Sequence, residues 1–264
     1  MISQAINLEP LYPGATLCEK IQKVSAEGFK EVEFWGWDQL DLKEVRRTCE
    51  ETGVKIRAFS GTKEWSLCDV AHRTEYMDWV QKSIAAAKEL DCDTLILFPN
   101  HFTPNGCADF RKQYSQDAMI ANITATLTML VPMLEEHHMT VLLEPLTNEG
   151  ADAGMSVTDT SQGAAIVRAV GSPYVQLLCD VFHMQMMHGN LLNNILSNLD
   201  IVHYVHIADA PDRHEPGTGE INLDYLAEQI QNSEFEGTVC MEYFPIGETE
   251  KGLPAVKEFL KKFK

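Results

Sequence analysis

Val175-Gln176-Leu177-Leu178-Cys179-Asp180-Val181-Phe182-His183 begins as a short apolar run, ends that run on an acid, and passes into a helical pattern near Met184–Leu199. An apolar run of that length reads as a buried β-strand, and the pattern after it as an amphipathic helix. The same unit recurs in both directions along the chain. Strand-type runs are expected at Ser3–Asn7, Glu31–Trp35, Lys55–Ser60, Thr94–Pro99, Val141–Pro145, Val175–Asp180, Val202–Ala208 and Thr238–Tyr243. Between and after them fall helical patterns near Leu17–Glu27, Leu42–Thr52, His72–Leu90, Gln116–His137, Ser161–Val170, Met184–Leu199, Leu223–Gln231 and Leu253–Phe263. Gly28, Gly53, and Gly171 with Pro173 supply helix stops. Strictly alternating strand–helix units imply a parallel sheet, and eight of them are what a closed barrel requires. The expected fold is therefore α/β, a single (β/α)8 (TIM) barrel over residues 1–264, since no linker or low-complexity segment divides the chain. An open doubly wound sheet would call for a glycine-rich turn after the first strand, where Asn7-Leu8-Glu9-Pro10 stands instead.

Composition narrows the function. A net charge of −18 repels a phosphate backbone, which argues against a nucleic-acid partner and leaves a small sugar-like molecule unopposed. There is no run of about 18 apolar residues, so no membrane span is expected. Met1-Ile2-Ser3-Gln4 lacks the basic start and apolar stretch of a secretion signal. The seven cysteines form an odd set without CxxC spacing, read as reduced packing residues of a cytoplasmic protein. A homo-oligomer is compatible with all of this.

In such a barrel, chemistry sits at the C-terminal strand ends. The last four strands each present a metal-ligand type there: Glu144 after Leu142-Leu143, Asp180 after Leu178-Cys179, His206 after Tyr204-Val205, and Glu242 after Cys240-Met241. Side chains alternate along a strand, so if these four point inward, so do Leu142, Leu178, Tyr204 and Cys240, as a core layer needs. Three carboxylates in one barrel would repel each other and suffer desolvation, a conflict that a divalent cation resolves. Three carboxylates with one imidazole favour Mn²⁺, with Mg²⁺ or Co²⁺ as alternatives. One such residue alone would be an ordinary polar rim group; four on consecutive strands form a set.

Around them, His183 stands just beyond the sixth strand, where it can touch a substrate oxygen; the plainer alternative is a histidine facing solvent at a helix start. Arg213 lies in the polar loop Ala208–Glu220, whose glycines and prolines suit a substrate-facing lid. It can grip a ligand oxygen through forked hydrogen bonds or, more plainly, pair with Asp212 or Glu215. Trp35, Trp37, Trp65 and His101 follow earlier strand ends and suit the walls of a sugar pocket, although at least one tryptophan reads as a core cap. His137, His138, His188 and His203 read as structural or exposed.

Glu144-Pro145, Asp180-Val181-Phe182-His183-Met184-Gln185, His214-Glu215-Pro216-Gly217-Thr218-Gly219-Glu220-Ile221-Asn222 and Glu242-Tyr243 resemble the xylose isomerase-like barrel superfamily, and within it the hydroxypyruvate isomerase-like group. The resemblance spans the chain, is sharpest from Glu144 onward, and is most specific in the long loop motif. It implies a metal held by Glu144, Asp180, His206 and Glu242, with Glu144 and Glu242 also moving protons. One departure stands out: that group commonly has glutamine where this chain has His206. Histidine there, with Asp-x-x-His and an arginine after the seventh strand, looks like the ketose 3-epimerases. A multi-zinc DNA-repair branch also exists, but the charge and the sparse histidines speak against it. The expected activity is a divalent-metal-dependent sugar isomerase, acting through an enediolate on a small keto or aldose sugar or a hydroxypyruvate-like substrate. The alternatives are a ketose 3-epimerase, a metal-dependent lyase cleaving an oxidised glycoside, and a non-catalytic sugar-binding or assembly subunit.

Overall fold

The computed structural model describes residues 2–264. Eight parallel strands pair in sequence order around a closed barrel: β1 (Ser3–Asn7), β2 (Glu31–Phe34), β3 (Lys55–Ser60), β4 (Thr94–Leu97), β5 (Thr140–Leu143), β6 (Val175–Asp180), β7 (Val202–Ile207) and β8 (Thr238–Met241). The helices are α1 (Leu17–Ala26), α2 (Leu42–Thr52), α3 (Arg73–Glu89), α4 (Gln116–His137), α5 (Thr160–Val170), α6 (Val181–Met187), α7 (Leu191–Leu196), α8 (Leu223–Gln231) and α9 (Thr249–Leu260). The expected (β/α)8 barrel is thus the observed one.

Local chemistry sets the helix ends. Thr16 and Glu19 form a reciprocal capping box at the start of α1. Asp41 and Asp159 cap α2 and α5, and both helices end on a left-handed glycine, Gly53 and Gly171. Inside the barrel, Ala5, Ala58, Ile96, Leu142, Leu178, Tyr204 and Cys240 form one buried layer. Each of Asn7, Glu144, Asp180, His206 and Glu242 stands two residues beyond a member of that layer, on the same inward parity. His203, of opposite parity, is exposed.

Several boundaries differ from expectation for identifiable reasons. β5 and β8 stop before Glu144 and Glu242, which begin the loops that follow, yet their N–H groups still donate to Leu97 O and Ile207 O. The single helix expected over Met184–Leu199 is two, α6 and α7, separated at Gly189 and Asn190, both with positive φ. A short antiparallel hairpin, Phe102–Thr103 with Gly106–Cys107, follows β4. The last helix begins at Thr249, so Pro254 lies inside it rather than in its first turn. By length and composition α4 is apolar enough to cross a membrane, contrary to the expectation from apolar runs. In the fold it is a ring helix, burying a stripe of Met119, Ile123, Leu127, Leu130 and Leu134.

Candidate active site

Parity and strand order bring Glu144, Asp180, His206 and Glu242 together at the C-terminal end of the barrel. One ligand-type atom from each lies within 4.8 Å of the others, and all four residues are buried. The imidazole is oriented: His206 Nδ1 lies 2.9 Å from Glu242 Oε2, 3.2 Å from Glu144 Oε1 and 3.7 Å from Asp180 Oδ2. Asp180 is fixed by the local fold, because it also caps α6 and its Oδ1 accepts the N–H of His183 at 3.0 Å.

Burial dominates the electrostatics. It pushes the Glu144 carboxyl up to about 8, more than the neighbouring His206 charge can offset. Burial acts to raise Glu242 as well, but the positive charges of Arg213 and His206 prevail and hold it at about 2. Asp180 is likewise held below its ordinary range, burial being outweighed by His183 and Arg213. Desolvation opposes the charged form of His206, yet Glu33, Glu242 and Glu144 around it keep its pKa well above the ordinary value. Four buried carboxyl groups, counting Glu33, thus face two cationic side chains, and Glu144 is left holding a proton. A divalent cation would supply the missing charge, and three oxygens with one imidazole nitrogen are a donor set suited to one. The residues fit a metal.

Arg213 pairs with neither Asp212 nor Glu215. One guanidinium nitrogen donates to Asp180 Oδ2 at 2.7 Å and Glu242 Oε2 at 2.6 Å, the same oxygens that face His206. Its guanidinium carbon stands 5.1 Å from the centre of the Phe182 ring, and its backbone is left-handed at φ 58°. His183 is buried rather than solvent-facing. Its Nδ1 accepts the Thr147 N–H at 3.3 Å, which puts the ring proton on Nε2, 3.7 Å from Asp180 Oδ2. Burial lowers the His183 pKa, and the Nε2–H is a donor aimed into the site.

Two site residues, Glu33 and Asn7, escaped sequence reasoning, and Trp35, expected in a pocket wall, reaches a ligand. Glu33 on β2 accepts from Asn7 Nδ2 at 2.6 Å and faces His206 Nε2 at 3.0 Å. Asn7 on β1 also donates to Glu242 Oε1 at 3.1 Å. Trp35 is turned into the site, its indole N–H donating to the same Glu242 oxygen at 2.8 Å. The available signal was the inward parity of Ala5 and Asn7, the same i, i+2 relation that marks the four ligands. Trp37, by contrast, stacks on Trp79 and bonds Ser83, as a core cap does.

The Ala208–Glu220 loop, expected as a substrate-facing lid, is braced from within. Buried Asp209 accepts N–H groups from Ala210, Gly217 and Ile221, each at 3.0 Å. Glu215 accepts the Ile246 N–H, and a Cβ on Gly219 would come within 2.0 Å of Ala210 O. The glycine is there for close approach, not for motion. A groove of about 440 Å³ lies at the opposite barrel end, lined by residues such as Gln4, Lys30 and Lys261, without convergent ligands.

Comparison with known proteins agrees with this architecture. A family model described as xylose isomerase-like TIM barrel matches residues 21–263. Hydroxypyruvate isomerase of Escherichia coli (strain K12) is 29% identical over 260 residues, covering 96% of this chain and 97% of its own. The crystal structure of an AP endonuclease, family 2, from Brucella melitensis superposes with a TM-score of 0.86 at 26% identity, over 96% of this chain and 97% of that one. D-psicose 3-epimerase from Clostridium cellulolyticum H10 gives 0.78 at 18% identity, over 96% and 90%, and so shows the fold alone.

Proposed function

The chain belongs to the xylose isomerase-like TIM-barrel family, and on that premise we propose that it is a divalent-metal-dependent sugar isomerase, acting on a small keto or aldose sugar or a hydroxypyruvate-like substrate. The observation that carries this is the convergence of Glu144, Asp180, His206 and Glu242 within 4.8 Å, buried and short of positive charge. The name of the Escherichia coli relative supports hydroxypyruvate as a first substrate to try. A net charge of −18 disfavours the DNA substrate suggested by the name of the Brucella protein.

Mn²⁺, or in its place Mg²⁺ or Co²⁺, held by the four residues would act as a Lewis acid toward two adjacent substrate oxygens as a neighbouring carbon loses its proton. The protein groups divide the remaining work. Glu144 directs Oε1 at His206, while no described residue hydrogen-bonds its Oε2, so that oxygen is free to take the α proton. Glu242 is held more tightly, with Trp35 and Asn7 on Oε1 and Arg213 on Oε2, which suits a ligand carboxylate that takes up the substrate hydroxyl proton and hands it back to the former carbonyl oxygen from a fixed position. The His183 Nε2–H and the Arg213 guanidinium orient oxygens flanking the reacting carbons. Removal of the α proton by Glu144 gives an enediolate, and its return from Glu144 to the adjacent carbon, with the hydroxyl proton passing to the former carbonyl oxygen, completes an aldose–ketose exchange.

Epimerisation is the second reading, favoured by His206 and Arg213. The test is incubation of Mn²⁺-loaded protein in deuterium oxide with hydroxypyruvate, tetroses, pentoses and hexoses, followed by NMR and mass spectrometry. Label at C1 or C2 with a new aldose or ketose is expected. Label at C3 of a ketose, with formation of a second ketose, would transfer the activity to epimerisation, and a released aglycone would transfer it to a lyase. Turnover of hydrolytic substrates alone, or none at all with metal bound, would end the isomerase proposal.

A further inference from the structure

We propose that Glu33 is a positioning residue for the metal centre: it holds the His206 ring so that Nδ1, not Nε2, is the coordinating nitrogen. The inference rests on the metal-dependent reading above. Glu33 is fully buried on β2, and it reaches His206 across the barrel interior rather than from a neighbouring strand. Among the described residues, no lysine or arginine pairs with it. Its Oε2 lies 3.0 Å from His206 Nε2, and its Oε1 accepts the Asn7 amide at 2.6 Å. The other ring nitrogen faces all three ligand carboxylates. A histidine that coordinates a metal must offer one nitrogen lone pair, and the hydrogen bond at the other nitrogen decides which. With Nε2–H donated to Glu33, the lone pair belongs to Nδ1. Asn7 extends the arrangement, because the amide that holds Glu33 also donates to Glu242 Oε1 at 3.1 Å. One side chain of β1 thus links the support of His206 to a second ligand.

Glu33, His206 and Cys240 also lie close enough together to resemble a second metal site. The positioning role differs from that in a countable way: it requires one ion per chain, with Glu33 outside the coordination sphere.

The test uses the full-length protein stripped of metal and titrated with Mn²⁺ and Zn²⁺ by calorimetry, together with ¹⁵N NMR of the His206 ring in the diamagnetic Zn²⁺ form. Wild type should bind one ion, with Nε2 protonated and Nδ1 carrying the metal-bound shift. Glu33→Ala should weaken binding about 10–100-fold, the cost usual for loss of such a partner, and blur the ring assignment. Glu33→Leu fills much of the same space without an acceptor and should stay weak, where a loss of packing alone would predict recovery, whereas Glu33→Gln keeps an acceptor for Nε2–H and should restore most of the affinity. It also serves if the alanine variant does not fold. Unchanged affinity in a folded Glu33→Ala, Nε2 carrying the metal, or two ions in wild type falling to one in the variant would each overturn the role. Those results leave the isomerase proposal standing. Absence of any turnover, with affinity still dependent on Glu33, would sink the isomerase proposal and spare this one. A wild type that binds no ion would overturn both.

Discussion

Arg213→Ala should destabilise the metal-free protein far more than the metal-loaded one. In the structure a single guanidinium nitrogen bonds Asp180 Oδ2 and Glu242 Oε2 at 2.7 and 2.6 Å, in a largely buried setting. Removing one partner of a buried ion pair costs about 3–5 kcal/mol, because the remaining charge is left uncompensated. The His206 cation stays beside both carboxylates, so the lower end applies, about 3 kcal/mol. A divalent ion on the same oxygens takes over the compensation and leaves about 1 kcal/mol, the packing on Phe182 and one charge-assisted bond. The difference of about 2 kcal/mol must appear as metal affinity, and at 1.4 kcal/mol per decade the variant should bind Mn²⁺ roughly 30-fold more tightly. Turnover should nonetheless fall, since the substrate loses an orienting group. Urea unfolding at pH 7, with chelator and with saturating Mn²⁺, measures both stabilities, and calorimetry measures the affinity. Equal destabilisation in the two conditions would refute the idea that arginine and metal serve the same carboxylates.

Glu144→Gln and Glu242→Gln should each retain part of the metal while turnover drops about 10²–10⁴-fold, the usual cost of losing a general base or acid. Steady-state kinetics alongside metal analysis checks this, and near-normal turnover in either variant would remove that residue from proton transfer. The metal-free protein should lose stability as pH rises between the ordinary glutamate value of 4.5 and about 8, because folded Glu144 retains a proton that the unfolded chain has already released. The raised His206 pKa acts in the same sense above its ordinary value. Melting curves across pH 5–9 should therefore slope downward with chelator and flatten with Mn²⁺; an upward slope with chelator would contradict the burial argument. Gly219→Ala places a Cβ 2.0 Å from a backbone oxygen, so it should cost about 2 kcal/mol or more and dislodge Arg213, read by denaturation and by Mn²⁺ binding.

The barrel was legible because its strand runs and helix stops recur eight times, and because inward parity ties each of Leu142, Leu178, Tyr204 and Cys240 to the ligand-type residue two positions on. The support behind those residues was harder to see. Glu31-Val32-Glu33-Phe34 carries acids on both sides of Val32, a pattern that resembles a solvent-facing edge, and a bulge between Val32 and Glu33 shifts the register of β2 against β3. Only closure of the barrel brings Glu33 opposite His206. The partners of Arg213 were equally hidden, because the nearest acids along the chain, Asp212 and Glu215, are not the ones it meets. Glu215 instead bonds the Ile246 N–H, and its carboxylate lies where a Cβ on Gly252 would sit, 2.1 Å away.

The three bonds converging on Asp209 have a bearing on redesign. A segment whose glycines and acids are spent on holding its own backbone has little freedom left to read a ligand. The Glu215–Glu220 stretch is therefore chassis, and two proteins that share it need not share a substrate. Substrate range is better sought on the opposite rim, where Trp35, His101 and Phe102 follow β2 and β4 and are partly or largely exposed. Grafting those loops between barrels that keep the Asp209 brace should transplant selectivity while leaving the proton chemistry in place.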